Sequence, residues 1–458
     1  MNITTKDLLQ VKHLSSELIA TTKFSNVSTD SRTVKKGDLF IALRGEKFDG
    51  HDFIAQVAKQ GAKAAIVDAK WFRKTTKRPK LDYLVVKDTT EAMGELARLY
   101  RRKFEIPILA IGGSNGKTTT KELVAHVLGT SFNVLKTEAN FNNQVGVPQM
   151  LFRLTNKHEI AVLEIGTNHP NEVAWLANVI EPTHTLITNI GREHLEFFKN
   201  LDGVAKEETS AFFITEAMNG FGFINHDDSY LKPFSKLFGE WSISYGTKDK
   251  ADVVGMSKGY DAKGKHIIEL SYGKKKFIAK TNLLARYAAN LCASVTAIAL
   301  HFNISGAKIK KALESYEPHS KRMQIEKLQN GVTIINDAYN ANPESFIAAL
   351  DTLKGIPSKA RKFIVAGDMF ELGSTAKREH TALGKAMKKY KLRGYLFTGK
   401  DMKLAQKALG SRNGFHFNTK DEIATVLRSV LQKGDIVLVK GSRGMKMEEV
   451  VEKLRITS

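Results

Sequence analysis

The chain has 458 residues, 42% hydrophobic and 26% charged, with 70 Lys and Arg against 48 Asp and Glu for a formal net charge of +22. That length suggests about three domains, and that mix excludes extensive disorder. A single cysteine, Cys292 in the apolar run "NLCASVTAIAL", excludes an intramolecular disulfide and any cysteine-built metal cluster, and reads as a buried structural thiol.

The first segment opens "MNITTKDLLQVKHLSSELIA", without the basic region and apolar core of a leader, and no stretch reaches the roughly 18 apolar residues of a membrane span. A cytoplasmic protein is expected. Short apolar runs at "KKGDLFIAL", "AKAAIVD" and "YLVVKD" read as strands, and "GHDFIAQVAKQGA" between them has helical spacing with a Gly stop. This small α/β unit ends near "ELARLYRRKF".

The second segment begins with "IPILAIGG", a buried-type strand that runs into a Gly-rich turn and then the helix "KTTTKELVAHVLGT", whose Leu123, Val124, Val127 and Leu128 share a face. Strands follow at "EIAVLEIG" and "HTLITNI". The β, α, β alternation predicts a largely parallel sheet with helices on both faces, and ligand loops at the carboxyl ends of the strands. After the helical "NLCASVTAIALHF" and "AKIKKALESY", a third segment carries strands at "GVTIIND", "RKFIVAGD", "GYLFTG" and "DIVLVKGS", again doubly wound.

The turn "GGSNGKTT" carries the first chemistry. The strict phosphate-loop pattern needs Gly where this chain has Ile111, so what remains is a shortened loop. Gly113, Ser114, Asn115, Gly116, Lys117, Thr118 and Thr119 still lie between a strand and a helix. Backbone N–H groups and the helix N-terminus there can cradle phosphate, Lys117 can reach the outer phosphates, and the Thr118 hydroxyl can ligate Mg²⁺. Glu164, at the end of "AVLEIG", can hold Mg²⁺ and its water shell against ATP.

This shortened loop resembles that of the Mur ligases, and the resemblance runs along nearly the whole chain. It implies an α/β fold of three domains: a small N-terminal UDP-binding domain (1–104), a central P-loop ATPase domain with a parallel sheet (105–316) and a C-terminal Rossmann-like domain (317–458). Upstream, "DSRTVKKGDLFIALRGEKFDGHDFI" is similar to the family's UDP-binding module, which places Ser31, Arg32, Gly45, Asp49, Gly50 and His51 on substrate loops; alone, it would read as turns between strands. "TEANFNNQVGVP" resembles the loop beside the muramoyl peptide, with Thr137, Asn142 and Asn143 at the matching positions. "NIGREHLEFF" supplies His194, similar to the family histidine near a second metal. The helix motif departs from the family: "LARYAAN" keeps Asn290, while Leu284, Arg286 and Tyr287 replace the usual types, which leaves adenine contacts open.

In the third segment, "HSKRMQIEKLQNGVTIINDAYNANPESFIAAL" resembles the branch that adds D-alanyl-D-alanine. Arg322, Asp337, Tyr339, Asn340, Asn342 and Ser345 match, and Lys321 replaces a usual Gly. "AGDMFELG" with His380, and "VLVKGSRGMKMEEV" with Lys440, Ser442 and Arg443, continue the pattern. The implied reaction joins D-alanyl-D-alanine to a UDP-muramoyl tripeptide through an acyl phosphate, with ATP and Mg²⁺, in a monomer without nucleic-acid or membrane partners. Lys117, Glu164, His194 and Arg322 are the implied catalytic residues, and Asn290 and Asp337 join the loop in binding ATP. Most relatives have a lysine that becomes a carbamate beside the second Mg²⁺. Here Glu208 stands at its place, with Lys206 two positions earlier, so a carboxylate of Glu207 or Glu208 is expected to substitute as metal ligand; otherwise the pair is a solvated first helical turn.

Two other classes fit parts of the sequence. A P-loop ATPase driven by nucleic acid would also be basic, but runs such as "KWFRKTTKRPK" and "KAMKKYKLRG" lack interleaved aromatics and read as solvated faces. A sugar-nucleotide binder without activity would not need Lys117, Glu164 and His194 together.

Overall fold

The structure, a computed structural model, describes residues 3–18, 22–45, 48–248, 250–261, 264–284, 287–318, 321–356, 360–410 and 412–455. Apart from a two-stranded ladder, Ile3–Thr4 with Lys23–Phe24, three sheets follow one another along the chain. The first orders its strands Ser15–Ser16, Asp82–Val86, Ala64–Asp68, Leu39–Ile41 and Val27–Ser28, parallel except for the first. Its inner strands are continuous apolar runs because helices cover both faces. "GHDFIAQVAKQGA" forms a 3₁₀ turn, Gly50–Phe53, before the helix Ile54–Lys59. So Gly50 and His51 lie in a helical turn rather than an open loop.

The central sheet has nine strands. Val134–Lys136, Ile160–Glu164, Ile108–Gly112, His184–Ile187, Phe221–Asn225, Ser242–Gly246 and Val253–Tyr260 lie side by side in parallel. His266–Tyr272 and Lys275–Thr281 then close the sheet antiparallel, an addition to the expected parallel order. The C-terminal sheet runs Gln324–Lys327, Thr333–Asp337, Ile436–Lys440, Lys362–Gly367, Gly394–Thr398 and Gly414–Phe417, parallel except at its first edge.

Both larger sheets turn the carboxyl ends of their middle strands toward each other. Gly112, Glu164 and Ile187 end strands of the central sheet, and Asp337 and Lys440 end adjacent strands of the C-terminal one. The loops leaving these ends meet in one cavity. Cys292 is buried within the helix Ala288–His301, and burial raises its thiol.

Candidate active site

The strand Ile108–Gly112 delivers the shortened loop to the helix Lys117–Leu128. Two glycines make the turn possible. Gly113 has φ +109, and a Cβ there would lie 2.3 Å from the Thr188 hydroxyl; Gly116, the N-cap, has φ +84. The loop is tied to the segment after the strand His184–Ile187. Ser114 N–H donates to Asn189 O at 2.8 Å, and the Asn189 side chain receives Asn115 N–H and donates to Asn115 O.

A cavity of about 590 Å³ opens over this loop. Residues from Ser114 to Thr119, Asn142, Asn143, Glu164, His194 and Asn290 line it from the central sheet, and Arg322, Asp337, Tyr339, Asn340, Asn342, Ser345, Lys440 and Arg443 from the C-terminal sheet. Thr118 Oγ1 donates to Glu164 Oε1 at 3.1 Å, and Asn142 Nδ2 donates to the same oxygen at 3.0 Å. Glu164 Oε2 is buried with no hydrogen-bond partner. An unpaired carboxylate oxygen beside a hydroxyl is the donor set a hard cation takes, and Mg²⁺ needs only one or two protein ligands when phosphates supply the rest. These two residues fit Mg²⁺.

Lys117 Nζ donates to Gly113 O and lies 3.8 Å from Glu193 Oε2 and 4.0 Å from Glu208 Oε1. Burial alone would lower its pKa, but Glu193, Glu208 and Glu164 around it reverse the sign and hold it raised, so it stays charged.

Arg322 crosses from the C-terminal sheet. Its Nη2 donates to Thr118 Oγ1 at 3.0 Å, and its guanidinium stacks 3.8 Å over the Tyr339 ring. Lys321 and Met323 on either side have φ +63 and +51, left-handed backbone that a glycine would adopt at less cost. Asn342 Nδ2 donates to Asn115 Oδ1 at 2.8 Å, while its Oδ1 caps the helix Pro343–Gly355 by receiving Ser345 N–H. Lys440 Nζ donates to Asp337 Oδ2 at 2.6 Å and to Asn340 O at 3.0 Å. Arg443 pairs with Glu448 at 2.7 Å.

Asn290 Nδ2 donates to Asn225 Oδ1 and Asp227 Oδ2, and Tyr287 lines the cavity beside it. Of the other departures, Leu284 packs in the C-terminal core, and Arg286 lies outside the described residues.

Several expected site residues make structural contacts within the fold. His51 is fully buried: Nδ1 bonds Asp49 Oδ1 at 2.6 Å and Nε2 accepts Asp68 N–H at 3.0 Å, so neither ring nitrogen is left for a ligand. Asp49 caps that same turn and also pairs with Arg44. Ser31 is buried, Arg32 is exposed and pairs with Asp30, and Gly45 N–H donates to Phe48 O. These N-terminal positions do not line the cavity. Thr137 is fully buried behind Glu164, whose N–H it accepts at 2.9 Å. Ser442 is buried, accepting Phe370 N–H and donating to Ala341 O. His380, also buried, accepts Met369 N–H.

Among the described residues, the side chains expected around a second metal are not gathered at one point. Glu208 is fully buried beneath the loop, outside the cavity lining; Oε2 accepts Gly113 N–H at 2.7 Å, and burial pushes its carboxyl well above the usual range. Glu207 receives Asn171 N–H and Val173 N–H at the start of the helix Glu172–Ile180, and Lys206 is exposed. Both glutamates sit inside the helix Leu201–Ala217 rather than in its first turn. His194 lines the cavity but gives Nδ1 to Glu371 Oε2 at 3.1 Å. Among the described residues, no three His, Cys, Asp or Glu side chains are gathered for a metal.

Glu193, Arg192, Glu344 and Glu371 also line the cavity and were not singled out by sequence. Adjacency to His194 was a signal for the first two; for Glu344 and Glu371, contacts between distant segments leave no local pattern.

Comparison with known proteins agrees with this architecture. Residues 23–101 match the Mur ligase family catalytic domain, 111–298 the Mur ligase middle domain, and 321–443 the Mur ligase glutamate ligase domain. The chain belongs to the Mur ligase family. Within it, the chain is 32% identical to the UDP-N-acetylmuramoyl-tripeptide–D-alanyl-D-alanine ligase of Haemophilus influenzae, over 98% of this chain and 96% of that one. It is 33% identical to the Escherichia coli ligase of that name, over 94% and 93%. Among solved structures, MurF from Acinetobacter baumannii aligns with a TM-score of 0.90 at 27% identity, covering 100% and 99% of the two chains. MurF from Thermotoga maritima in complex with ADP aligns at 0.84 with 26% identity, covering 94% and 97%.

Proposed function

We propose that this chain is the ATP-dependent ligase that joins D-alanyl-D-alanine to UDP-N-acetylmuramoyl tripeptide, releasing ADP and phosphate. The observation that carries the reading is the convergence of Lys117, Thr118 and Glu164 from one sheet with Arg322 from the other at a single cavity, in a chain that matches such ligases nearly end to end.

Making an amide from a carboxylate at neutral pH needs a better leaving group than oxide. The tripeptide carboxylate attacks the γ-phosphorus of ATP, giving an acyl phosphate and ADP. The dipeptide amine then attacks the acyl carbon and expels phosphate. Charge gathers on the phosphoryl oxygens in the first step and on the carbonyl oxygen in the second, so catalysis here is mainly positioning and electrostatics. Lys117, kept charged by its carboxylate neighbours, faces the outer phosphates. Thr118 and Glu164 would hold Mg²⁺, which supplies positive charge to those phosphates when bound. Arg322, anchored on Tyr339, adds charge only when the C-terminal sheet is close. Asn142 and Asn143 face the tripeptide end, and Lys440, at the end of the strand Ile436–Lys440, and Arg443, in the turn after it, face the dipeptide carboxylate.

The proposed division of labour gives residues 1–104 the uridine diphosphate end, 105–316 the ATP and 317–458 the incoming dipeptide. The enzyme acts in the cytoplasm as a monomer on small molecules. Among the described residues, no helix is long and apolar enough to cross a membrane.

Phosphate release measured with the UDP-muramoyl tripeptide and D-alanyl-D-alanine, each alone and then together, tests the reading. Release is expected only with both. Equal turnover with DNA or RNA and no peptide would replace it with a nucleic-acid-driven ATPase.

A further inference from the structure

Lys121 is almost wholly buried for a charged side chain, 1% exposed, one turn beyond Thr118 on the helix Lys117–Leu128. Its ammonium pairs with Glu122 Oε1 at 2.7 Å and donates to Thr137 O at 2.7 Å. The other oxygen of Glu122 pairs with the Lys136 ammonium. This charged cluster joins the helix to Val134–Lys136, a three-residue edge strand whose pairing with its neighbour ends at Lys136 opposite Val162.

Stability is a poor reason for such a cluster, since well-packed apolar side chains of the same volume commonly serve as well or better; registry is the better-attested use of buried charge. The register set here is specific. Thr137 N–H donates to Val162 O at 3.0 Å, and the Thr137 hydroxyl receives Glu164 N–H at 2.9 Å. Glu164 Oε1 in turn receives the Thr118 hydroxyl at 3.1 Å. The contacts form a closed ring: Lys121 to Thr137, Thr137 to Glu164, Glu164 to Thr118, and back along one helical turn to Lys121.

We infer that Lys121 is a positioning residue which, through Thr137, sets the placement of the Glu164 carboxylate relative to the Thr118 hydroxyl, and so the affinity of the site for a divalent cation. The inference rests on the proposed reading that these two groups hold Mg²⁺. Lys121 touches neither substrate nor metal. Its effect passes through a backbone carbonyl and a buried hydroxyl.

Mn²⁺ binding in the presence of ADP, followed by electron paramagnetic resonance, reads this without turnover. Lys121→Met and Thr137→Val are each expected to weaken Mn²⁺ about tenfold, as loss of a group supporting a metal ligand does. The double variant should be no weaker than the worse single one, because both cut the same path. Binding of ADP without metal should stay within about twofold of the unaltered protein, because the phosphate loop itself is untouched. Lys121→Arg should keep most of the Mn²⁺ affinity. The paired variant Glu122→Gln with Lys136→Met, which removes the other charges and spares the Thr137 contact, should lower the melting temperature without weakening Mn²⁺.

Unchanged Mn²⁺ affinity in Lys121→Met, losses that multiply in the double variant, or an equal loss of metal-free ADP binding would each overturn the inference. If Lys121→Met does not fold, Thr137→Val and Lys121→Arg decide: full affinity in the first or none in the second overturns it. If the unaltered protein itself binds no Mn²⁺ with ADP, it is the reading of Thr118 and Glu164 as a metal site that fails.

Discussion

The central sheet is joined to its neighbours by two seams of different character. On the N-terminal side the seam is apolar: one core runs from Ile3 to Phe238, and the helix Thr89–Arg101 packs on central helices so closely that a Cβ at Gly94 would fall 2.5 Å from the Trp175 ring. Polar contacts there reinforce packing, as where Tyr100 donates to Leu154 O and Arg101 to Ile180 O and Glu181 O. On the C-terminal side, around the cavity, the seam consists of polar pairs: Arg322 with Thr118, Asn342 with Asn115, Arg192 with Glu344 and His194 with Glu371. Among the described residues, Leu284 and Tyr260 of the central segment pack into the C-terminal core. The lesson is that the first two sheets behave as one body, while the third is held by contacts that water or substrate can replace, which suits closure over a reactive acyl phosphate.

This contrast predicts that changes at the second seam cost rate and changes at the first cost stability. The largest effect is expected for Lys117→Ala, which should lower turnover by about 10³-fold or more, the scale of losing a principal phosphate clamp. Steady-state phosphate release measures it, and a near-normal rate would remove the loop from the chemistry. Next, Trp175→Ala should cost about 3 kcal/mol of stability by opening the apolar seam, with turnover below the melting transition little changed. Denaturant melts and rates on one preparation check it; lost rate with retained stability would mean the two seams had exchanged roles.

Arg322→Ala is expected to lower turnover by about 10²-fold while ATP affinity falls far less, since its contact forms only across the closed gap. Equal losses in both would place it in the open nucleotide pocket. The smallest effects belong to Arg192→Ala and Glu371→Gln. Their pairs are half-exposed, so each should change turnover by less than about fivefold. Larger changes would show that these pairs hold the closed state.

The same contrast explains what could be read from sequence. "IPILAIGG", "EIAVLEIG" and "HTLITNI" are buried on both faces of a parallel sheet, so their apolar runs are continuous and appear where the strands Ile108–Gly112, Ile160–Glu164 and His184–Ile187 are found. The antiparallel strands His266–Tyr272 and Lys275–Thr281 were missed because only one face is buried. Their signal was alternation broken by Gly273 in a turn at φ +51. In the site, residue types that must reach phosphate were legible because they sit on one short loop. The work of His51, Thr137 and Ser442 was not, because a motif marks a position and does not say whether the side chain turns toward the cavity or behind it. Glu208 shows this most sharply: one of its oxygens accepts Gly113 N–H, and the other lies buried without a hydrogen bond 4.0 Å from Lys117.

The bridge between Asn342 and Asn115 carries one more consequence. It is a single amide contact that joins the phosphate loop to the start of the helix Pro343–Gly355. A small molecule offering a primary amide to Asn115 while filling the space of Asn342 would act as a wedge, inhibiting without imitating ATP or peptide.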